Sequence, residues 1–269
     1  MEERLPVLRK ILAGIGRSVV AFSGGVDSTF LLRVAHDVLG EDVTAVTAVS
    51  PSLPATEREQ AVALARLIGA RHLLVPTSEM LDPGYRANDG RRCYFCKREL
   101  FRALLDLAPA DGRVLLYGAI TDDLGDDRPG MRAAAEAGAR APLLEAGLSK
   151  ALVRQLSRQL GLPTWDKPAM ACLASRIPVG TPVTADALSR VEAAEEAVRS
   201  LGYRQVRVRH HGEGAHVELD SGDVARALRA PDRERIIGAV LGAGFERVVI
   251  DPEGYQPGGR RRNNHADTP

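Results

Sequence analysis

A glycine turn between an apolar strand and an amphipathic helix constrains the fold of this chain more than any other feature. Residues 18–40, SVVAFSGGVDSTFLLRVAHDVLG, predict a short strand, a turn at Gly24 and Gly25, and a helix with apolar residues at helical spacing. Backbone amides can converge at such a turn, and the positive end of the following helix favours an anion. The segment therefore predicts an α/β unit with a phosphate site after its first strand.

The alternation of strands and helices continues through the first part of the chain. DVTAVTAVS and RHLLVPTS predict strands, and TEREQAVALARLIGA between them predicts a helix that ends at Gly69. A helix over about residues 98–107 and a strand at RVLLYGAI follow. Because this alternation is typical of a parallel sheet with helices on both faces, we predict an α/β domain over residues 1–165.

The pattern changes after Trp165. A stretch rich in Pro, KPAMACLASRIPVGTPVT, leads to a helix predicted over about residues 186–202, with Thr184 as its cap. The alternating strands RQVRVRH and AHVELD follow, then helices near residues 224–228 and 233–241 and a strand at ERVVID. We predict a smaller α+β C-terminal domain over residues 166–256, serving substrate binding or oligomerisation, and a disordered tail over residues 257–269.

Composition and charge exclude several classes of protein. Lys and Arg number 36 and Asp and Glu 35, and a net charge of +1 creates no overall field for nucleic acid or an anionic membrane. No apolar run approaches the ~18 residues that span a bilayer, and the start MEERLPVLRK does not resemble a signal peptide. We expect a cytoplasmic protein. Its three cysteines, an odd count, favour reduced thiols over a disulfide framework.

The cysteines form the second candidate site. Cys93 and Cys96 form a CxxC just ahead of the predicted helix, and we expect the basic residues beside them to favour thiolates. Cys172 follows much later, in PAMACLASR. These basic neighbours are Arg91, Arg92 and Lys97.

Three interpretations of the cysteines stay open at this point. A zinc site needs a fourth ligand, for which the candidates are His210, His211 and His216. A dithiol pair is the second possibility. A [4Fe–4S] cluster on three thiolates, with one iron free to bind an exogenous sulfide, is the interpretation we favour.

The run SGGVDS resembles the SGGxDS signature of the ATP pyrophosphatases, the PP-loop family with the adenine nucleotide alpha hydrolase-like fold. It contains neither the Gly-Lys-Ser/Thr of a P-loop nor the G-x-G-x-x-G of a dinucleotide fold. The resemblance implies that ATP is cleaved between its α and β phosphates with Mg²⁺, giving an adenylated intermediate. The residues that it implies for binding the pyrophosphate part of ATP are Ser23, Gly24, Gly25, Asp27 and Ser28. Capping of the helix by Asp27 and Ser28 is the structural alternative.

Longer runs resemble a narrower family, the LarE sulfur transferases. These runs are GAITDDLGDDRPGMRAA, the ACLASR that follows WDKPA, VRVRHHGEGAHVELD and VVIDPEGY. The resemblance implies adenylation of the carboxylates of pyridinium-3,5-biscarboxylic acid mononucleotide and their conversion to thiocarboxylates. This is a step in biosynthesis of the nickel-pincer nucleotide cofactor of lactate racemase. It also implies a homo-oligomer, a hexamer in the family.

The family has two sources of sulfur. In members with a single cysteine, the residue that matches Cys172 gives up its own sulfur, so each molecule acts once. In members with an additional CxxC, three cysteines hold a [4Fe–4S] cluster that can carry a sulfide. The second pattern implies Cys93, Cys96 and Cys172 as catalytic residues and cluster ligands, with a sulfide-donor protein as a possible partner. Single-use donation from Cys172 remains the alternative.

The resemblance also implies roles for charged residues of the C-terminal part. Four residues are implied to bind the substrate phosphate: Ser175, Arg176, Arg207 and Arg209. Two acidic residues are implied to lie near a divalent cation: Glu192 and Asp220. From spacing alone, alternating arginines on a strand and an acidic residue on a helix are equally typical of solvent-exposed faces.

An acidic run follows the strand at RVLLYGAI. Asp122, Asp123 and Asp126 stand at its carboxyl end, the edge at which α/β sheets bind ligands, so we predict contact with Mg²⁺ or substrate. A polar loop is the alternative.

Three other functions agree less well with the sequence than a sulfur transferase does. A PP-loop tRNA thiolase would be expected to show a basic tract or zinc-finger cysteines, which this chain does not. An amidotransferase or an NAD synthetase leaves the cysteines without a task. A cluster- or zinc-binding scaffold without ATP hydrolysis would not need the intact SGGVDS run.

Overall fold

The computed structural model describes residues 4–107, 112–124, 129–168 and 171–256, and these form two compact units. The first unit comprises the described residues up to Cys172 together with Val179–Val183. The second comprises Leu173–Pro178 and the described residues from Thr184 onward. The chain thus passes between units later than the predicted boundary after Trp165. The predicted tail over residues 257–269 lies outside the described residues.

The first unit is a parallel α/β layer structure, as predicted. Its four strands are hydrogen-bonded in the order β3-β2-β1-β4, and every pair is parallel. The strands are β1 Ser18–Ala21, β2 Val43–Val49, β3 Arg71–Pro76 and β4 Val114–Leu116. The helices are α1 Arg4–Ile15, α2 Val26–Leu39, α3 Ala55–Ile68, α4 Pro83–Ala87, α5 Arg92–Leu107, α6 Pro129–Glu136, α7 Pro142–Glu145 and α8 Lys150–Gln159.

Both faces of this sheet are covered because its strands are apolar on both sides. Along β1, Val20 is part of one core cluster with Leu8 of α1 and Phe30 of α2. Its neighbour Val19 is part of another, with Leu104 of α5. Successive residues of a strand point to opposite faces, so the two clusters lie on opposite sides of the sheet. This arrangement brings the carboxyl ends of the strands, and the loops that follow them, to one edge.

Helix α5 begins earlier than predicted. It starts at Arg92, where the sequence predicted a start near residue 98, so the CxxC lies within the helix. Cys, Tyr and Phe have lower helix propensity than Ala or Leu, which hid these two turns. Packing stabilises them: a Cβ at Gly84 of α4 would overlap the ring of Phe95.

The second unit is a small α+β structure. Its three strands are β5 Val206–His211, β6 Gly214–Leu219 and β7 Arg247–Ile250, with β5 antiparallel and β7 parallel to the central β6. Its helices are α9 Ala185–Ser200, α10 Ser221–Ala227 and α11 Asp232–Gly242. The predicted cap of α9 is confirmed, since the Thr184 hydroxyl accepts the N–H of Ala187 at 3.1 Å. Within the described residues, every helix is too short or too polar to cross a membrane.

A fully buried ion pair lies in this unit. The side chains of Arg176 and Glu195 are both 0% exposed, and their closest nitrogen and oxygen atoms are 2.7 Å apart. Glu195 also accepts the N–H of Val208 at 3.1 Å and pairs with Arg199. Burial alone would raise the pKa of Glu195, but the hydrogen bond and charge of Arg176 outweigh it and lower that pKa. The carboxylate is therefore retained as a charged group inside the unit.

We expect Arg176→Met to lower the free energy of unfolding by about 3–5 kcal/mol, because it leaves a buried carboxylate without its main partner. Urea unfolding followed by circular dichroism measures this. Arg17→Met is the matched control: Arg17 pairs with Asp42 in a bridge exposed on both sides, and such bridges contribute about 0–1 kcal/mol. Equal losses in the two variants would contradict the account.

Candidate functional site

The glycine turn lies at the carboxyl end of β1, directly before α2. Gly24 has a φ of +68°, a conformation that suits glycine. A Cβ at this position would also lie 3.3 Å from the Cα of Ala61, so α3 packs against the turn at backbone distance. Gly25 is the N-cap of α2 and, having no side chain, cannot accept a hydrogen bond from the first amides of the helix. Because the first amides of a helix lack partners within it, this end of α2 can bind an anion.

Two serines, Ser23 and Ser28, form hydrogen bonds around the turn. The hydroxyl oxygens of Ser23 and Ser28 are 3.0 Å apart, and the Ser28 hydroxyl also accepts the Ser23 N–H and donates to the Gly25 carbonyl, both at 3.3 Å. The Gly25 N–H points to the Ser23 hydroxyl at 3.3 Å. These bonds join the turn to Ser28 in the first turn of α2. Hydroxyl and amide donors are thus concentrated around one point.

Asp27 lies beside a lysine that the sequence analysis did not assign. The ammonium of Lys150, the first residue of α8, is 2.6 Å from Asp27 Oδ2. Asp27 Oδ1 is buried and has no hydrogen-bond partner among the residues that the structure describes. An unsatisfied buried carboxylate oxygen in a native site requires an explanation, such as an absent ion.

The acidic run after β4 reaches the same place. The Lys150 N–H donates to Asp122 Oδ2 at 2.9 Å, and this bond is the main cause that lowers the pKa of Asp122. Asp123 instead accepts the N–H of Ile120 at 3.0 Å. Asp126 lies outside the described residues. Of the predicted acidic residues, Asp122 is the one that the structure links to Asp27, through Lys150.

A close backbone approach explains why Asp122 lies near Asp27. A Cβ at Gly118, just after β4, would lie 3.1 Å from the Ser28 nitrogen. The loop after β4 therefore passes directly beside the first turn of α2. The adjacent pairing of β1 and β4 in the sheet brings the two loops together.

A second lysine touches the turn: the Lys167 ammonium donates to the Gly24 carbonyl at 3.2 Å. Sequence reasoning assigned no role to either lysine. One signal was present, because Lys is rare among the 36 basic residues. Two of its positions, Lys150 and Lys167, contact the loop, whereas the other two are Lys10 and Lys97.

The cysteines of the CxxC lie on one face of α5, three residues apart. Cys93 is exposed, whereas Cys96 and Cys172 are half-buried. Burial raises the pKa of Cys96 to about 12; Lys97 opposes this, whereas the negative charges of Cys172 and Cys93 add to it. Both cysteines therefore lie within electrostatic range of Cys96. Across the described ranges, no three His, Cys, Asp or Glu side chains are placed to hold a metal ion.

The expectation that basic neighbours favour a thiolate is wrong for Cys96. Arg91 forms a salt bridge with Asp89, and Arg92 donates to the Asn88 side chain. With both guanidinium groups engaged elsewhere, burial dominates the pKa of the thiol.

Buried polar residues that sequence reasoning missed surround the thiols. Tyr85 and Glu79 are almost fully buried, and the Ser52 hydroxyl donates to Glu79 Oε1 at 3.2 Å. Burial raises the pKa of Tyr85, and the charges of Cys172, Cys96 and Glu79 contribute. No motif marks these residues, because each is a single polar side chain in a turn or in a short helical segment.

In the second unit, the four predicted phosphate-binding residues come together. Arg176 donates to the Ser175 hydroxyl at 2.9 Å, and Arg209 donates to the Ser175 carbonyl at 3.0 Å. Burial, and next the charge of Arg176, lower the pKa of Arg207. Because Arg207 is buried, the alternative of a solvent-exposed strand face is wrong for this residue.

The arginines of this cluster contact a carboxylate and an aromatic ring to which the sequence assigned no role. Arg209 forms two bonds to Glu218, at 3.1 and 3.0 Å. The Arg207 guanidinium lies 5.3 Å from the centre of the Tyr255 ring. The β5–β6 register sets Glu218 opposite Arg207 and diagonal to Arg209. Tyr255 follows the turn after β7, where its N–H donates to the Leu219 carbonyl at 2.7 Å.

The two predicted cation-binding acids have ordinary positions in this unit. Asp220 caps α10 and accepts the Gly222 N–H at 3.0 Å. Glu192 is half-buried on α9. The histidines of the zinc alternative also belong to this unit, whereas all three cysteines belong to the first. These histidines are His210 and His211 of β5 and His216 of β6.

Three curated proteins are similar to the chain over most of its length. An uncharacterized protein of Synechocystis sp. is 47% identical over 259 residues, covering 96% of this chain and 97% of that protein. The pyridinium-3,5-bisthiocarboxylic acid mononucleotide synthase of Lactiplantibacillus plantarum is 39% identical over 249 residues, 92% of this chain and 90% of the synthase. An uncharacterized protein of Methanocaldococcus jannaschii is 24% identical over 239 residues, 88% of this chain and 90% of that protein. No protein-family model matches the chain.

The thiols are expected to react in a defined order. At pH 8 a thiol with a pKa of about 12 is ionised to only about one part in 10⁴, and only the thiolate is nucleophilic. Iodoacetamide should therefore alkylate the exposed Cys93 well before Cys96, as measured by mass spectrometry of peptides. In guanidinium chloride the two rates should converge. Equal rates in the native protein would show that burial does not control Cys96.

Proposed function

The chain belongs to the LarE family, and on this premise we propose that it is an ATP-dependent sulfur transferase. Its proposed substrate is pyridinium-3,5-biscarboxylic acid mononucleotide, whose carboxylates it converts to thiocarboxylates. The similar synthase of Lactiplantibacillus plantarum is named for the corresponding bisthiocarboxylic product. The observation that carries the proposal is the donor-rich glycine turn with two lysines beside it.

The first proposed step activates a carboxylate. A substrate carboxylate oxygen attacks the α-phosphorus of ATP, the bond between the α-phosphorus and its bridging oxygen breaks, and pyrophosphate leaves with the electron pair. The residues proposed to hold the pyrophosphate are Ser23, Gly24, Gly25 and Ser28, with Lys150 beside them. Donors fixed before the reaction stabilise the developing negative charge most effectively.

Two carboxylates fit a magnesium ion at this site. Asp27 has a buried oxygen without a partner, and Asp122 approaches through Lys150. Mg²⁺ binds through one or two carboxylates together with substrate phosphates, so the residues present suffice. When bound, Mg²⁺ neutralises charge on the phosphates.

The arginine cluster of the second unit is proposed to bind the phosphate of the mononucleotide. Three guanidinium groups, those of Arg176, Arg207 and Arg209, face the carboxylates of Glu195 and Glu218. Arg199 also pairs with Glu195, so four guanidinium groups lie with two carboxylates and the cluster carries two excess positive charges. Guanidinium groups suit phosphate because they donate in a planar fork.

In the second proposed step, sulfur attacks the activated carbonyl carbon and AMP leaves. In number and type, the three thiols match a [4Fe–4S] cluster with one open iron. Within the described residues they are not placed to hold a metal ion, so binding the cluster would require them to move together. When bound, such a cluster can hold a transferable sulfide, which a donor protein would replenish. Cys93, Cys96 and Cys172 would be its ligands and would have to lose their thiol protons on binding.

The ATP step is tested by pyrophosphate release with ATP, Mg²⁺ and the mononucleotide. Ser28→Ala is expected to slow release about 100-fold, because it removes a donor from the loop. The matched control is Cys172→Ala, which should still release pyrophosphate but form no thiocarboxylate. If the wild-type protein releases no pyrophosphate with this substrate, the proposed function is wrong.

The sulfur source is tested by anaerobic reconstitution with iron and sulfide. We expect about four irons per chain and absorption near ~400 nm, both lost or weakened in Cys172→Ala. Wild-type protein that takes up no iron, and instead loses the mass of one H₂S per chain after reaction, would establish single-use donation from Cys172.

A further inference from the structure

Lys167 contacts the glycine turn from the side of α3. Its ammonium donates to the Gly24 carbonyl at 3.2 Å, to Glu57 Oε2 at 2.8 Å and to Gln60 Oε1 at 2.9 Å. An ammonium group has three donors, and each has an acceptor here. The Lys167 side chain is 13% exposed and that of Glu57 is 8% exposed. Burial therefore fixes this ion pair more firmly than a surface pair.

The bond to Gly24 orients the neighbouring amide. The peptide between Gly24 and Gly25 is planar and trans, so its N–H points away from its carbonyl. Since the carbonyl faces Lys167, the Gly25 N–H faces the opposite side of the loop, where it meets the Ser23 hydroxyl at 3.3 Å. The positive φ of Gly24 adds no barrier to rotation of this peptide, because glycine accepts many conformations. Lys167 supplies the restraint that the glycine does not.

A second restraint holds the backbone of Lys167 itself. Arg154 of α8 donates to the carbonyl of Trp165 and to that of Lys167, both at 2.8 Å. Cys172 follows Lys167 by five positions. Five residues span at most about 18 Å, so the Cys172 Cα is tethered within that distance of the Lys167 Cα.

We propose that Lys167 is a positioning residue for ATP cleavage, which turns the Gly25 amide toward the pyrophosphate through its bond to the Gly24 carbonyl. The same residue holds one end of the segment that carries Cys172. This inference rests on the proposed function for its role in turnover, but its effect on pyrophosphate binding does not depend on the second substrate.

A lysine that merely stabilises the fold is the competing explanation. The two differ in a charge-swapped double variant, Glu57→Lys with Lys167→Glu. This variant restores an ion pair but sets a carboxylate against the Gly24 carbonyl. Lys167→Arg, which keeps the cation, is the conservative variant.

The experiment measures pyrophosphate binding by calorimetry, the KM for ATP and kcat of pyrophosphate release, and the Tm. Lys167→Met should weaken pyrophosphate binding and raise the KM for ATP at least about tenfold, since a misdirected amide no longer donates to the phosphate. Lys167→Arg should recover much of this loss. The swapped variant should regain Tm relative to Lys167→Met without regaining binding.

The outcomes separate the two proposals. If the wild-type protein releases pyrophosphate and Lys167→Met binds and turns over ATP with unchanged constants, the inference fails and the function stands. The inference also fails if binding follows Tm across all variants. If pyrophosphate binding depends on Lys167 but the wild-type protein does not cleave ATP, the function fails and the inference about the loop stands. A wild-type protein that binds neither ATP nor pyrophosphate overturns both.

Discussion

The approach of three backbone segments near the Gly24–Gly25 turn is the constraint on which the proposed phosphate site depends. Helix α3 meets the turn at Ala61, and the loop after β4 meets the first turn of α2 at Gly118. A Cβ at Gly24 or Gly118 would lie only 3.3 or 3.1 Å from the facing backbone atoms, so a larger residue would push the segments apart by a few tenths of an ångström. Because the backbone segments are this close, one small region contains the N-terminus of α2, the serine hydroxyls and the two lysines. The parallel sheet makes the approach possible, since its strands end at one edge.

At the cysteine site, burial affects the pKa of the Cys96 thiol more than the neighbouring charges do. Basic residues stand next to the CxxC in sequence, yet Asp89 and Asn88 engage the guanidinium groups of Arg91 and Arg92. The Cys96 thiol is left in a poorly hydrated environment beside Glu79 and Tyr85. Desolvation disfavours the charged form of any acid, and a single nearby ammonium does not reverse it. A soft metal that replaces the thiol proton is one way for such a group to become reactive.

Local patterns predicted much of the fold because they report local physics. Alternating apolar runs and glycine stops located the strands described above and the helices α2, α3, α9, α10 and α11, including the cap of α9 at Thr184. No pattern predicted α1, α4, α6, α7 or α8. The start of α5 was wrong because packing of Phe95 against Gly84 stabilises turns that propensity disfavours. The grouping of Ser175 with three arginines followed from family likeness. Their carboxylate partners Glu195 and Glu218 required the tertiary structure.

By itself, the sequence determined the parallel α/β class, the position of the glycine turn before α2 and the presence of three cysteines. These depend on periodicity, on residues that tolerate special backbone conformations and on residue type, all of which are local. Only the tertiary structure decided that Lys150 and Lys167 contact the loop and that burial controls Cys96. Those contacts join residues more than a hundred positions apart or depend on exclusion of water. Such distances and environments are set when the whole chain packs, so no single segment encodes them.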